Sequence, residues 1–357
     1  MRPATVASLV GLARMGVTAT RFLGPDDHAP RLDVRAVVPA RDEAATIAAC
    51  VASVLPQATE VVVVDDHSSD ATANVAAAAG AAVVRLDDEP PPGWLGKPRA
   101  CLAGAKGAAT EWLAFVDADV VLHPAALATM GAATTSTSTS IAGGLDCRSF
   151  AERLLLPELG LALAQEGLPP DFASGQCFLV RRRAYEAVSG HGHLAVRGSV
   201  IDDRDLARAL GSHDTRLAPR LMRARMYRDL GEVRAGLVKN QASLHPRAFR
   251  HLAHLLAPVA SRRPWAAMVV SAGGRAVSGH NPLYGLLSPL ARATLAAFYM
   301  ESRWRARSGR PVAWKGRPVQ PQRPPAANLV RSRPDDVRDR AKNTRGAHRA
   351  GVVDRSS

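Results

Sequence analysis

Aromatic residues are scarce in this chain, only 4% of 357. A protein that stacks nucleic-acid bases interleaves aromatic rings with its basic residues. The arginine-rich tail over 318–357 has no such ring, so nucleic acid is disfavoured as a partner. Only four cysteines occur, Cys50, Cys101, Cys147 and Cys177, with no C-x-x-C pair. Their spacing speaks against a zinc site or a disulfide framework and leaves buried free thiols. No G-x-G-x-x-G follows the first apolar run and no Walker A motif is present, which disfavours ordinary dinucleotide and P-loop sites. No cleavable signal peptide stands out, and uninterrupted apolar runs are missing too. Residues 4–23 are broken by Arg14 and read as an interfacial segment. Residues 283–300 are the best membrane-spanning candidate, yet they contain Pro289 and Arg292. Spanning stays open; lying on a membrane surface is easier to defend.

Small apolar residues and positive charge are what the chain has in quantity. Apolar residues make up 47%, and the net charge is +14. Residues 1–150 carry 11 Lys and Arg against 16 Asp and Glu, whereas residues 151–357 carry 35 against 16. Residues 244–357 alone carry 21 against 5. Basicity therefore belongs to the C-terminal third. It suits an anionic lipid surface, or simply a solvated arginine-rich tail.

From Leu32 to about Gly144 the pattern alternates β-branched apolar runs with alanine-rich stretches. Strands are expected at 34–40, 60–66, 81–86 and 111–119, with helices at 44–55, 70–79 and 98–109 between them. Continuous apolar strands separated by helices indicate a mostly parallel sheet covered on both faces, an α/β fold. Residues 134–140 (TTSTSTS) read as a loop or helix end, and 151–167 as a helix interrupted by Pro157. Residues 175–190 read as strand, turn and helix, and 201–211 as a short helix. The expected organisation is an apolar segment over 1–31, a catalytic domain over 32–243, a helical, possibly membrane-associated region over 244–317 and a disordered basic tail over 318–357.

Three expected strands finish in charged clusters: Pro39-Ala40-Arg41-Asp42-Glu43, Asp65-Asp66 and Asp117-Ala118-Asp119. Ligands of an open parallel sheet bind outside the carboxyl ends of its strands, so these clusters should face one crevice. Two carboxylates one residue apart repel unless a cation neutralises them. Mg²⁺ and Mn²⁺ favour oxygen ligands and commonly share them with substrate phosphates. The alternative is that Asp117 and Asp119 cap the following segment, and Asp65 and Asp66 the helix near Asp70.

Four segments, VVPARDEAATI (37–47), VVVVDDHSSDAT (61–72), GWLGKPRACLAG (93–104) and FVDADV (115–120), together resemble the family 2 glycosyltransferases, over roughly residues 34–240. That resemblance implies a GT-A fold: a Rossmann-like sheet flanked by helices. It implies that Pro39, Ala40, Arg41 and Glu43 line the base and ribose of a nucleotide-sugar, and that Asp66 binds uracil or ribose. It further implies that Lys97 reaches the nucleotide or its phosphate. Asp119 becomes the metal ligand, with Asp117 beside it nearer the ribose, and Mg²⁺ or Mn²⁺ the cofactor. Gly175 and Gln176 would sit under the sugar. In IDDRDLARAL, Asp202 stands where the family has Glu, Asp203 would be the general base, and Asp205 a surface residue. MYRDLGEVRAGLVKN (226–240) and VAWKGRPV (312–319) resemble segments of hopanoid- and carotenoid-associated members. The Q-x-x-R-W motif of processive synthases is missing, so a single transfer is expected.

The implied function is metal-dependent, inverting transfer of a sugar, expected from a UDP-sugar, to a lipid-like acceptor. It would take place at the cytoplasmic face of the membrane. Two rivals are a nucleotidyltransferase, whose Gly-rich basic signature VVPARDEA lacks, and an arginine-rich nucleic-acid binder built on a decayed catalytic domain.

Overall fold

The computed structural model describes residues 22–166, 171–244, 251–253, 255–256 and 264–322. Most of the 4–23 segment and all of the tail beyond residue 322 lie outside the described residues.

Valine-rich runs build the centre. β1 (Val34–Ala40), β2 (Glu60–Asp66), β3 (Ala82–Leu86) and β4 (Trp112–Val116) are parallel neighbours. They alternate with α1 (Ile47–Val54), α2 (Thr72–Ala78) and α3 (Gly96–Ala105). Every residue of β4 is buried. In β1, Ala36, Val38 and Ala40 point into one apolar layer and Val37 into the other. This period of two, with both faces apolar, is what a strand covered on both sides requires.

β5 (Val120–Leu122), α4 (Ala126–Ala133), β6 (Ser138–Ala142), β7 (Gly144–Leu145), α5 (Phe150–Glu166), β8 (Cys177–Arg181), α6 (Arg182–Ala187), α7 (Asp202–Leu210), β9 (His213–Leu217) and β10 (Met222–Ala224) follow. The main sheet has the order β3-β2-β1-β4-β8-β6-β9, and β8 alone runs against its neighbours. β5, β10 and β7 form a small second sheet. The expected mostly parallel α/β architecture is therefore present.

Two local expectations are corrected. The strand expected over 111–119 stops at Val116, because the Val120 N–H bonds back to the Asp117 carbonyl at 3.1 Å and closes a turn. Asp117 and Asp119 thus sit on a corner where the chain leaves one sheet for another. Residues 134–140 are no plain loop: Ser138–Ala142 is a sheet strand paired on both sides. Its hydroxyls make burial tolerable. Ser138 Oγ donates to the Ser212 carbonyl at 3.0 Å, and Ser140 Oγ accepts the Ser174 N–H at 3.1 Å.

The C-terminal region contains α8 (Leu230–Leu244), α9 (Pro264–Val277) and α10 (Ser288–Ser308), then a hairpin of β11 (Val312–Trp314) and β12 (Arg317–Val319). The tail expected to begin at 318 therefore begins inside a strand. Pro157 lies within α5 without ending it. No helix among the described residues is long and apolar enough to cross a membrane. The spanning candidate 283–300 instead divides into a 3₁₀ turn, Pro282–Leu287, and the first part of α10. Arg292 is buried against Glu158 of α5, with Nε 2.7 Å from Oε1. Ser271 and Ser288 also donate to that carboxylate, at 2.5 and 2.8 Å. The arginines that interrupt the apolar pattern are thus internal ties between helices.

Candidate functional site

Sheet register gathers the charged strand ends. Ala40 of β1 pairs with Asp65 of β2, and Val37 pairs with Phe115 of β4. Continuing that register two residues sets Asp117 level with Pro39. The carboxyl ends of β1, β2 and β4 therefore open onto one crevice, the place where such sheets bind ligands.

At the first rim, Arg41 donates from Nη1 to the Asp66 carbonyl at 2.8 Å and from Nε to the Lys315 carbonyl at 2.9 Å. The Glu43 carboxylate accepts the Thr46 hydroxyl at 2.9 Å and pairs with Lys315. Asp66 pairs with Arg317. Gly96 lies so close that a Cβ there would stand 2.1 Å from Asp66 Oδ2, so a side chain at this position would drive the carboxylate away. Pro39 and Ala40 form the strand floor beside them.

In the middle of the crevice, Lys97 Nζ lies 2.6 Å from Asp117 Oδ1. The resemblance pointed Lys97 toward a nucleotide phosphate; here its partner is a carboxylate. Burial opposes its charge, but Asp117, Asp202 and Asp203 outweigh that and raise its pKa well above the ordinary lysine value. Asp119 is pushed up to about 7 by burial, then by the charges of Asp117 and Glu43. This carboxyl is short of positive charge. Among the described residues no three His, Cys, Asp or Glu side chains stand close enough together to hold a metal ion. Asp117 and Asp119 offer hard oxygen donors that fit Mg²⁺ or Mn²⁺ as a partial ligand set, completed by a phosphate-bearing substrate.

The far rim is the start of α7. A Cβ on Gly175 would lie 3.0 Å from Lys97 Nζ and 3.4 Å from Asp203 Oδ2, so these three positions are in contact range. The backbone carbonyl of Gln176 accepts the Asp117 N–H at 3.0 Å, and its side-chain oxygen accepts the Gly143 N–H at 3.3 Å. Burial, then the neighbouring charge of Asp202, pushes Asp203 up to about 7. Burial works against ionisation of Asp202 as well, but Lys97 and His191 prevail and hold its pKa below the ordinary value. α2 and α4 have no side-chain cap bond, so the capping alternatives for Asp65, Asp66, Asp117 and Asp119 are not realised, and α7 has none either. Asp205 is no surface residue: it accepts the Ser199 hydroxyl at 2.6 Å and is paired with Arg204 and Arg208.

Sequence reasoning gave no role to several residues at this site. His191 Nε2 lies 3.6 Å from Asp202 Oδ2, and its Nδ1 is 2.9 Å from the Tyr185 hydroxyl. Tyr185 also accepts the His191 backbone N–H at 3.1 Å. His191 ends the stretch FASGQCFLVRRRAYEAVSGH (172–191), in which nothing local announces its partners. Lys239 sits 4.7 Å from the Trp314 ring. Burial, then repulsion from Lys97, lowers its pKa to about 8.

Residues 36–188 match the model of a family described as glycosyl transferase family 2. No curated protein matches the chain. Among solved structures, a mannosyltransferase from Pyrobaculum calidifontis in complex with GDP-Man and Mn²⁺ is similar at 18% identity and a TM-score of 0.53, covering 84% of this chain and 96% of that one. Glucosyl-3-phosphoglycerate synthase from Mycobacterium tuberculosis, in complex with Mn²⁺, UDP and phosphoglyceric acid, is similar at 21% identity and a TM-score of 0.41, covering 63% of this chain and 78% of that one. The first likeness shows a shared GT-A-like fold.

Proposed function

We propose, for a glycosyltransferase whose residues 36–188 match family 2, that it transfers one sugar from a UDP-sugar to a hydroxyl or carboxyl of a lipid-like acceptor with inversion. The observation that carries this reading is the split pair on α7. Asp202 is held ionised, whereas Asp203 is pushed up to about 7, which suits a group that must accept a proton near neutral pH.

Glu43 and Asp66 offer carboxylate oxygens to ribose hydroxyls and base N–H groups. Asp117 and Asp119 would hold Mg²⁺ or Mn²⁺, whose charge would stabilise the departing diphosphate. Asp203 takes the proton from the acceptor hydroxyl as its oxygen attacks the anomeric carbon. Lys97 keeps Asp202 ionised, and His191 orients it. One base and one displacement suffice for inversion. The mannosyltransferase of similar fold was solved with GDP-Man and Mn²⁺, which supports a nucleotide-sugar and a divalent cation.

The lipid-like acceptor rests on the C-terminal surface. Trp265, Val269 and Val277 of α9 are exposed, as are Leu283 and Leu286 of the 3₁₀ turn and Leu290 of α10. A face of this kind, in a chain whose C-terminal third is basic, suits an anionic bilayer at the cytoplasmic side. The deciding experiment is a donor panel (UDP- and GDP-sugars, with and without Mn²⁺) read by thermal shift and by release of free nucleoside diphosphate. Metal-dependent stabilisation by one donor supports the reading. Release of pyrophosphate instead would assign a nucleotidyltransferase.

A further inference from the structure

Lys315 and Gly316 form the tip of the β11–β12 hairpin, with φ of +47° and +74°. Two consecutive left-handed residues make the tight turn that suits strand twist. Gly accepts that conformation freely, whereas Lys is strained by it. The strained residue is the one whose ammonium pairs with Glu43, 272 positions earlier in the chain. Arg317, one residue past the tip, pairs with Asp66 and with Glu89. Contacts beside the tip and beyond the hairpin hold it to other parts of the chain. Trp314 packs edge-on against Tyr227, with ring centroids 6.1 Å apart, and Ser243 of α8 donates to the Gln322 carbonyl at 2.8 Å.

Glu43 and Asp66 are the two acids assigned above to the nucleotide. Their oxygens are already engaged by cations from the far end of the chain. A base and ribose could reach them only if those cations leave, and a stranded charge at a half-buried site is costly. A nucleotide-sugar resolves this, because it brings both the hydrogen-bond donors that replace the cations and a diphosphate that can receive them.

We infer that the hairpin Val312–Val319 is a displaceable strap: Lys315 and Arg317 neutralise Glu43 and Asp66 in the empty site and move onto the donor diphosphate when it binds. The inference rests on the donor-site reading above. It explains why a catalytic crevice built from residues before 210 is closed by a segment after 310.

The test uses the full chain and the double variant Lys315→Gln/Arg317→Gln, titrated calorimetrically with uridine, UDP and inorganic pyrophosphate in Mn²⁺. Removing the cations should tighten uridine, because its pocket is vacated. It should weaken UDP and pyrophosphate about tenfold or more, the loss expected for charged hydrogen bonds. Arg317→Lys should restore part of the pyrophosphate affinity. Equal weakening of uridine and UDP would mean a fixed structural strap and overturn the inference, as would no change in any of the three. If wild type does not bind UDP, the UDP-donor reading fails. Loss of pyrophosphate binding in the double variant would then still uphold the strap, and wild type that ignores pyrophosphate would end it. Hydrogen exchange over 312–319 gives a second readout: UDP with Mn²⁺ should alter it, and identical exchange with and without UDP counts against displacement.

Discussion

Asp202 and Asp203 are adjacent on one helix turn, yet their surroundings shift their pKa values in opposite directions. Burial disfavours both charges. Asp202 overcomes it through Lys97 and His191, and its own charge then adds to the burden on Asp203. The consequence is a rate that depends on pH. If Asp203 must be ionised to accept a proton, kcat/KM rises about tenfold per pH unit on the acid side and levels off above about 7. Asp203→Asn should remove both the limb and about 10²–10⁴-fold of the rate, without unfolding the chain. A profile that stays flat from pH 5 to 8 would exclude this carboxyl as the base.

Lys97 sets the position of that limb. Its positive charge lowers the pKa of Asp203, against burial and Asp202. Lys97→Met should therefore move the acid limb to higher pH, besides lowering the rate. A variant that loses rate at every pH while keeping the limb in place would show that Lys97 acts only in binding.

Gly96→Ala tests how tightly α3 closes on Asp66, which the proposed function assigns to the donor. The added carbon would stand 2.1 Å from Asp66 Oδ2 and 2.6 Å from an Arg317 nitrogen. Overpacking of this kind costs about 1–3 kcal/mol. Asp66 and Arg317 are side-chain ends at a crevice, so they can swing aside. The expected result is a small fall in melting temperature and a large fall in UDP affinity. The reverse ranking would make Gly96 a packing residue with no tie to the donor.

Much of this was legible from residue patterns. β1 and β2 occupy the bounds read from their valine runs, because strands buried on both faces need apolar residues throughout. The acids at 43, 66, 117 and 119 were visible as charges ending those runs. What stayed hidden was non-local or polar. Ser138–Ala142 looked like a loop because its buried hydroxyls find partners only in the folded sheet. Asp117-Ala118-Asp119 read as extended because nothing local announces a corner between two sheets. The partners of Glu43 and Asp66 lie more than 250 residues away, at separations of 272 and 251. No periodicity connects such positions. The arginines of α9 and α10 read as an eroded membrane segment until Glu158, which faces them across the helices, was in view.

That buried cluster makes its own prediction. Glu158 is fully buried and serves Arg275, Arg292, Ser271 and Ser288 together. Glu158→Ala leaves two buried guanidinium groups without their carboxylate and should destabilise by about 3–5 kcal/mol. The loss should appear as a lower unfolding midpoint in urea, measured on the whole chain. A midpoint within error of wild type would mean that the arginines find other partners and that the cluster is not what joins α5 to α9 and α10.

Asp119 lets metal binding be separated from folding. Its pKa rises from an ordinary 3.8 to about 7, chiefly through burial and then through Asp117 and Glu43. A carboxyl raised by folding keeps its proton in the native state over a range where the unfolded chain has lost it. Its contribution to stability is therefore complete below 3.8 and is lost as pH climbs to about 7. Above that value the ionised group is a burden unless a cation arrives. Asp119→Asn removes the burden. In chelator at pH 8 this variant should melt higher than wild type, and the gap should narrow at pH 5, where the native wild-type carboxyl is protonated and uncharged like the carboxamide. With Mn²⁺ and UDP the order should reverse, because wild type gains the bound cation and the variant does not. A variant less stable than wild type in chelator at pH 8 would show that Asp119 is already neutralised by its own protein, and the metal assignment would lose its physical ground.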